Sequence, residues 1–251
     1  ISYDNEHLDQ EVEEENYFVS MTDMMVGLVF IFIILMMYYA LQFRQEADAR
    51  TSANKEREVI LNNLAEELKK QNVIVTVDAK NGVLRLPDQT LFDSGQAHLK
   101  AEGVETVKAL SGALMRVMPC YTGGVKPQGT CRAESARIKV DSLFIEGHTD
   151  SDPFNGAGGR TNLDLSAERA INTYRQLIVD KPDLERLTSE QADGSPKAIL
   201  SVSGYGDKRP VDAGNTPEAK AKNRRIDIRI LMAAPDSPDS EVIAGELGLT
   251  P

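Results

Sequence analysis

Residues 145–170 read IEGHTDSDPFNGAGGRTNLDLSAERA, and their reading decides the fold. Ile138–Gly147 reads as a buried strand. Ser166–Val179 predicts a helix with Ser166 as its N-cap. Asp150 then follows a strand and Arg169 falls one turn into a helix, so a carboxylate and a guanidinium can face one cleft. Such a pair suits a zwitterion, with Asp150 taking the ammonium and Arg169 the carboxylate by a bidentate contact. On the residues alone the pair has a second reading, an internal salt bridge with no ligand. His148 and Asp150 lie two apart on one strand face, with Ser151 near. Neighbours in sequence do not make a catalytic triad, and the glycines of NGAGG (155–159) do not open a helix behind a strand. No enzyme is expected.

On the N-terminal side, Val73, Val75 and Val77 alternate, Asn81-Gly82 gives a tight-turn signal and Val83–Leu86 follows, which predicts a hairpin. Residues 100–118 predict a helix. On the C-terminal side, Ala198–Ser203 and Arg225–Met232 predict strands. Strands alternating with helices over residues 73–232 place this domain in the α/β or α+β class. The tail, residues 233–251, is expected to be a flexible end. Cys120 and Cys131, the chain's two cysteines, bracket YTGGVKPQGT. A disulfide is the simple reading, stabilising by about 3 kcal/mol through loop entropy and placing the domain in an oxidising compartment. Two unpaired buried thiols are the alternative. His7, His98 and His148 show no ligand spacing with these cysteines, so no metal site is expected.

Upstream, Met24–Leu41 reads MMVGLVFIFIILMMYYAL, eighteen residues without a charge. With residues 18–23 added, the segment makes about 36 Å of helix against a hydrocarbon core of roughly 30 Å. A signal peptide would have a shorter apolar region, a basic start and a small-residue cleavage site. Residues 18–41 therefore read as a transmembrane helix, with Tyr17, Tyr38 and Tyr39 near its interfaces. Asp23 is the one ionisable residue inside it. Burying that carboxylate charged costs several kcal/mol unless it is protonated or paired, so modest changes in hydration could load or release a proton. An interfacial Asp beside Ser20 and Thr22, capping a helix that starts later, is the structural alternative. Residues 42–72 contain no Pro or Gly and predict a helical linker. Within it Ile60, Leu64 and Leu68 recur at i, i+4, i+8 beside Leu61. This narrow stripe suits docking to the domain, a short coiled coil or a regulatory plug.

The 251 residues carry 28 Lys and Arg against 39 Asp and Glu, a net charge of −11. Asp4, Glu6, Asp9, Glu11, Glu13, Glu14 and Glu15 crowd an arm at residues 1–17 that has no Lys or Arg. Such a balance lacks the basic face that nucleic acid requires, and no nucleic acid is expected to bind directly. Arg44, Arg50, Lys55 and Arg57 follow the span, which a literal positive-inside count reads as a cytoplasmic C-terminal part. The sequence opens on Ile, so its natural beginning is expected to lie upstream.

Four segments, LFDSGQAHL (91–99), the 145–170 stretch, SGYGDKRP (203–210) and KNRRIDIRI (222–230), together resemble the OmpA-like peptidoglycan-binding family. Its pattern is a G-H-T-D strand end, N-x-x-L-S-x-x-R-A on the next helix, G-Y-G, then N-R-R before the last strand. The resemblance implies that the zwitterion is the diaminopimelate end of a peptide stem. It also implies that Thr149, Asp150, Asn162, Leu165 and Arg169 line the pocket, with support from Arg224 or Arg225. Two features depart from the pattern. The loop SDPFNGAGGRT is longer than usual and could cover the site, and residues 119–135 look like an insertion.

With YFVSMTDMM (17–25), the order of span, linker and wall domain is similar to that of stator B subunits. That family includes the flagellar MotB type and the B subunit of the Zorya anti-phage defence system. The likeness implies that Asp23 is the proton-carrying carboxylate, with protons as the transported ion and no other cofactor. It implies a homodimer held within a pentamer of a larger membrane A subunit, with cytoplasmic effector proteins as further partners. It further implies a single-pass inner-membrane protein with a cytoplasmic arm and a periplasmic domain, against the positive-inside count. The acidic arm favours the defence branch, since flagellar members usually carry a basic one. A passive membrane-to-wall tether without ion transport is the competing reading.

Overall fold

The computed structural model describes residues 4–133, 135, 138–191 and 193–234, with side chains from residue 21 onward. The expected tail lies outside the described residues from 235, as do the side chains of the acidic arm. The chain divides into two compact units, Ile1–Ala49 and Arg50–Pro251. The first is the leading part of helix α1 (Asp4–Lys69). From Met21 to Leu41 every side chain is exposed, an apolar surface with no protein cover among the described residues. This helix is long and apolar enough to cross a membrane, and a helix satisfies all its backbone polar groups internally, as hydrocarbon requires.

The second unit starts with the remainder of α1. Ile60, Leu61, Leu64 and Leu68 are fully buried in one core with Leu84, Leu86, Leu110 and Leu114. Of the three readings of this stripe, docking is the one displayed. Polar contacts flank it: the Tyr121 hydroxyl donates to Glu56 at 2.8 Å, and Arg116 pairs with Glu67 at 2.6 Å.

β1 (Thr76–Asp78) and β2 (Val83–Pro87) form the expected hairpin, followed by α2 (Asp88–Leu91) and α3 (Ala101–Val117). After a 3-10 turn at Met118–Cys120, the disulfide Cys120–Cys131 closes the loop that leads to β3 (Val140–His148). α4 (Asn162–Asp180), β4 (Thr188–Glu190), β5 (Pro196–Ala198), β6 (Leu200–Gly204), α5 (Pro217–Asn223) and β7 (Arg225–Met232) complete the domain. The main sheet runs β1-β2-β7-β3-β6, with β3 and β6 parallel and the other pairs antiparallel. The architecture is mixed α/β behind a long apolar helix.

Strand alternation divides the sheet chemically. Leu84, Leu86, Leu143, Ile145, Ile226, Ile228 and Ile230 face the helical core, while Arg85, Glu146, His148, Arg225, Asp227 and Arg229 occupy the alternate positions. Two glycines set how closely α4 lies on this sheet. A Cβ at Gly147 would stand 2.0 Å from the Ser166 carbonyl oxygen, and one at Gly204 would stand 2.6 Å from the Ala167 nitrogen. The α4 start corrects the N-cap expected at Ser166. Thr161 caps the helix five residues earlier in a reciprocal box with Asp164, which satisfies orphan N–H groups at both residues. Ser166 Oγ instead accepts from the Gly206 N–H at 2.9 Å, tying the helix to the turn after β6.

Candidate functional site

Four ionic side chains meet where β3 ends. Asp150 follows the strand, Arg169 comes from α4, Asp88 opens α2, and Arg224 lies between α5 and β7. Asp150 and Arg169 do not pair with each other, contrary to the second reading of the sequence. Arg224 Nη1 donates to Asp150 Oδ2 at 2.5 Å, and Arg169 Nη1 stands 2.8 Å from Asp88 Oδ1. The latter approach lies off the hydrogen-bond direction, so the contact is chiefly ionic. Arg169 is 2% exposed, and its remaining contacts are internal: Nε donates to the Gln96 carbonyl at 2.8 Å and Nη2 to that of Asp93 at 3.2 Å. The Phe92 ring lies 5.0 Å below its guanidinium.

Burial raises the Asp88 carboxyl to about 6, against the pull of Arg169 and Arg224. Burial likewise lowers Arg169 from the usual guanidinium value, with Asp88 opposing it. Asp88 therefore depends on Arg169 to hold its charge, while the guanidinium stays charged and is costly to leave buried without an acid.

Thr149, next to Asp150 in the chain, and Leu165, one turn before Arg169 on α4, are both buried. The Thr149 N–H donates to the Gly206 carbonyl at 2.9 Å, while its hydroxyl is buried without a hydrogen-bond partner among the described residues. Such an orphan is a polar atom available to a ligand. Asn162 Nδ2 donates to the Asp152 carbonyl at 2.9 Å and to that of Asp150 at 3.4 Å, fixing the chain after the strand. The long loop is held by two ion pairs, Asp152 with Lys220 at 2.7 Å and Arg160 with Glu168, and the Phe154 ring lies near Gly95.

Arg225, predicted at the pocket, belongs elsewhere. Alternation along β7 puts it on the polar face of the sheet, where Nε donates to Asp227 at 3.0 Å and Nη2 to the Arg209 carbonyl at 3.1 Å. Arg224, one residue earlier and outside the strand, is the arginine at the site. Sequence reasoning named it as the alternative and missed Asp88, which lies in LPDQTLF (86–92) with no spacing cue toward Arg169.

The polar face holds a second ionic group. Arg229 meets Glu146 through two contacts, at 2.9 and 2.8 Å, and Arg85 stands 3.6 Å from Asp227. His148 lies 3.5 Å from Asp227 and stacks on Tyr205. Glu146, His148 and Asp227 bring ligand-type atoms within 4.8 Å of one another. Their chemistry disfavours a cation, because arginines already engage both carboxylates. Burial, then the charges of Arg225, Arg209, Arg229 and Arg85, push His148 down to about 3, so it is neutral at ordinary pH.

Residues 131–224 match the model described as the OmpA family. The chain is 28% identical over 149 residues to Motility protein B of Bacillus subtilis (strain 168), covering 59% of this chain and 44% of the relative. It is 26% identical over 167 residues to Probable lipoprotein YiaD of Escherichia coli (strain K12), covering 66% and 59%. A putative MotB-like protein from Desulfovibrio vulgaris aligns in structure at 20% identity and a TM-score of 0.46, over 77% of this chain and 96% of that one. The chain spans about half the length of the curated relatives it matches. Residues 131–224 are thus similar to the OmpA family, in a mixed α/β domain carried behind a long apolar helix.

Proposed function

We propose that this chain is the B subunit of an inner-membrane, proton-driven stator motor anchored to peptidoglycan, in the anti-phage branch of the Zorya type. The observation that carries the reading is the cluster of Asp88, Asp150, Arg169 and Arg224 at the sheet end of an OmpA-like domain, in a chain whose apolar stretch 18–41 bears a single carboxylate, Asp23. In this reading Asp150 takes the ammonium and Arg169 the carboxylate of a diaminopimelate end, with Thr149, Asn162 and Leu165 lining the pocket and Arg224 releasing Asp150 as the ligand enters. The loop 151–160 closes over the site and must loosen to admit the wall. Asp23 loads and releases a proton between a partner A subunit and water, and one charge crossing 100 mV supplies about 2.3 kcal/mol. The N-terminus is cytoplasmic, the domain is periplasmic, and two copies serve one pentamer of A subunits. The acidic arm favours the defence branch over the flagellar one.

The test is gentle solubilisation of membranes expressing the native gene neighbourhood, followed by the mass and stoichiometry of the complex. Two copies of this chain with about five of a larger membrane protein, and proton flux lost in Asp23→Asn, support the motor. Recovery of this chain alone, still bound to wall, leaves a passive tether.

A further inference from the structure

We propose that Asp88 is a positioning residue of the wall site, holding Arg169 away from Asp150 so that the Asp150 carboxylate stays available to the ligand's ammonium. This rests on the wall-binding reading above. Asp88 bridges both arginines: its carboxylate faces Arg169 at 2.8 Å, and its backbone N–H donates to the Arg224 carbonyl at 3.2 Å. It is 3% exposed, so the contact with Arg169 is poorly screened by water. The charged groups facing it are Arg169 from α4, Arg224 from the entry to β7 and Asp150 from the end of β3. Asp150 is close enough to act electrostatically on Arg169 as well.

A buried guanidinium without a counter-ion is costly. If Asp88 loses its charge, the nearest replacement for Arg169 is Asp150, which is the carboxylate the ligand needs. The pocket then collapses into the internal Asp150–Arg169 bridge, and Arg224 is left without its acid. Asp88 therefore acts on the ligand only through Arg169 and Asp150.

The full chain in detergent is tested for retention on purified sacculi with diaminopimelate stems, from pH 7.5 to pH 5. The native chain is expected to lose roughly tenfold in retention as the Asp88 carboxyl protonates. Asp88→Asn is expected to be about tenfold weaker at pH 7.5, with a flat profile and a circular-dichroism spectrum that remains native. His98→Gln, in the loop after α2, is expected to keep the native profile, which separates the effect from histidine titration. A native chain bound equally at both ends of the range overturns the role without any variant having to fold. Asp88→Asn that binds like the native chain also overturns it. A native chain that leaves sacculi unbound overturns the wall reading and this role with it.

Discussion

The two ionic groups of this domain are built from the same residue types and differ in how their charges are shared. At the sheet end each carboxylate meets one guanidinium, Asp88 with Arg169 and Asp150 with Arg224, and the Arg224 side chain is 30% exposed. On the sheet face, Asp227 lies between Arg225 and Arg85, and Glu146 takes two contacts from Arg229 with Tyr205 beside it. There both carboxylates are 2% exposed. One-to-one pairing leaves room for exchange with a zwitterion, whereas carboxylates that each take two or more contacts on ladder positions hold strands together. Charge sharing, more than residue type, separates a binding group from a structural one.

The largest expected effects test that division. Arg169→Ala leaves Asp88 buried without its partner, a loss of about 3–5 kcal/mol, and is expected to abolish sacculus retention even where the domain stays folded. Asp227→Ala removes the acid of Arg225 and is expected to destabilise by a comparable amount, while its folded fraction keeps retention. Denaturant unfolding and sacculus pull-down on both variants provide the check. Loss of retention in folded Asp227→Ala would break the comparison.

The pH dependence of stability also separates the two groups. His148 on the sheet face is neutral in the folded domain down to about 3, while the unfolded chain takes up its proton near 6.5. Its contribution is therefore lost as pH falls from 6.5 toward 3, by at most about 1.4 kcal/mol per pH unit. Asp88 at the sheet end has the opposite sign. Its carboxyl is raised to about 6, so its contribution is present at acid pH and is lost as pH rises from about 4 through 6. His148→Gln is expected to flatten the acid limb of Tm against pH, and Asp88→Asn to remove the opposing limb. Identical Tm profiles for the two variants would mean that the groups do not differ in this way.

A smaller effect, common to both groups, is expected from the Cys120–Cys131 loop. Replacing both cysteines by serine should destabilise by about 3 kcal/mol through the entropy of the opened chain, and leave sacculus retention of the folded domain unchanged. A retention loss at constant fold would connect this loop to the pocket.

Alternation and turn chemistry made much of this architecture legible in the sequence. Arg225–Met232 was predicted with the bounds the strand has, because Ile226, Ile228 and Ile230 alternate with charges. The same alternation, applied residue by residue, would have placed Arg225 on the sheet face and left Arg224 for the pocket. The Asp150 and Arg169 positions were legible from the motifs, but their partners were not. Asp88 is 62 positions from Asp150 in the sequence, and only the β2–β7 pairing brings LPDQTLF beside Arg224. The α4 N-cap was misplaced because Thr161 and Asp164 satisfy each other reciprocally, a stronger local arrangement than a serine alone. The linker stripe was ambiguous because four apolar residues at helical spacing suit any apolar partner, and the domain core turned out to be that partner.

The smallest effect concerns the loop between the strand end and α4, which touches the binding group and leaves the sheet face alone. Its ties are weak ones. The Asp152 side chain is 64% exposed in its pair with Lys220, and an exposed pair of this kind contributes roughly 0–1 kcal/mol. Phe154 adds apolar contact over Gly95, in the segment whose carbonyls hold Arg169. If the loop covers the pocket, loosening it lowers the cost of opening, and a closed fraction no longer taxes the apparent affinity. Lys220→Ala combined with Phe154→Ala is therefore expected to speed association with sacculi a few-fold and to leave Tm nearly unchanged. A gain of this kind does not arise from misfolding, which only weakens binding. Slower association in this variant would instead make the loop part of the contact surface, and Phe154 and Lys220 would join the pocket as ligand-facing residues.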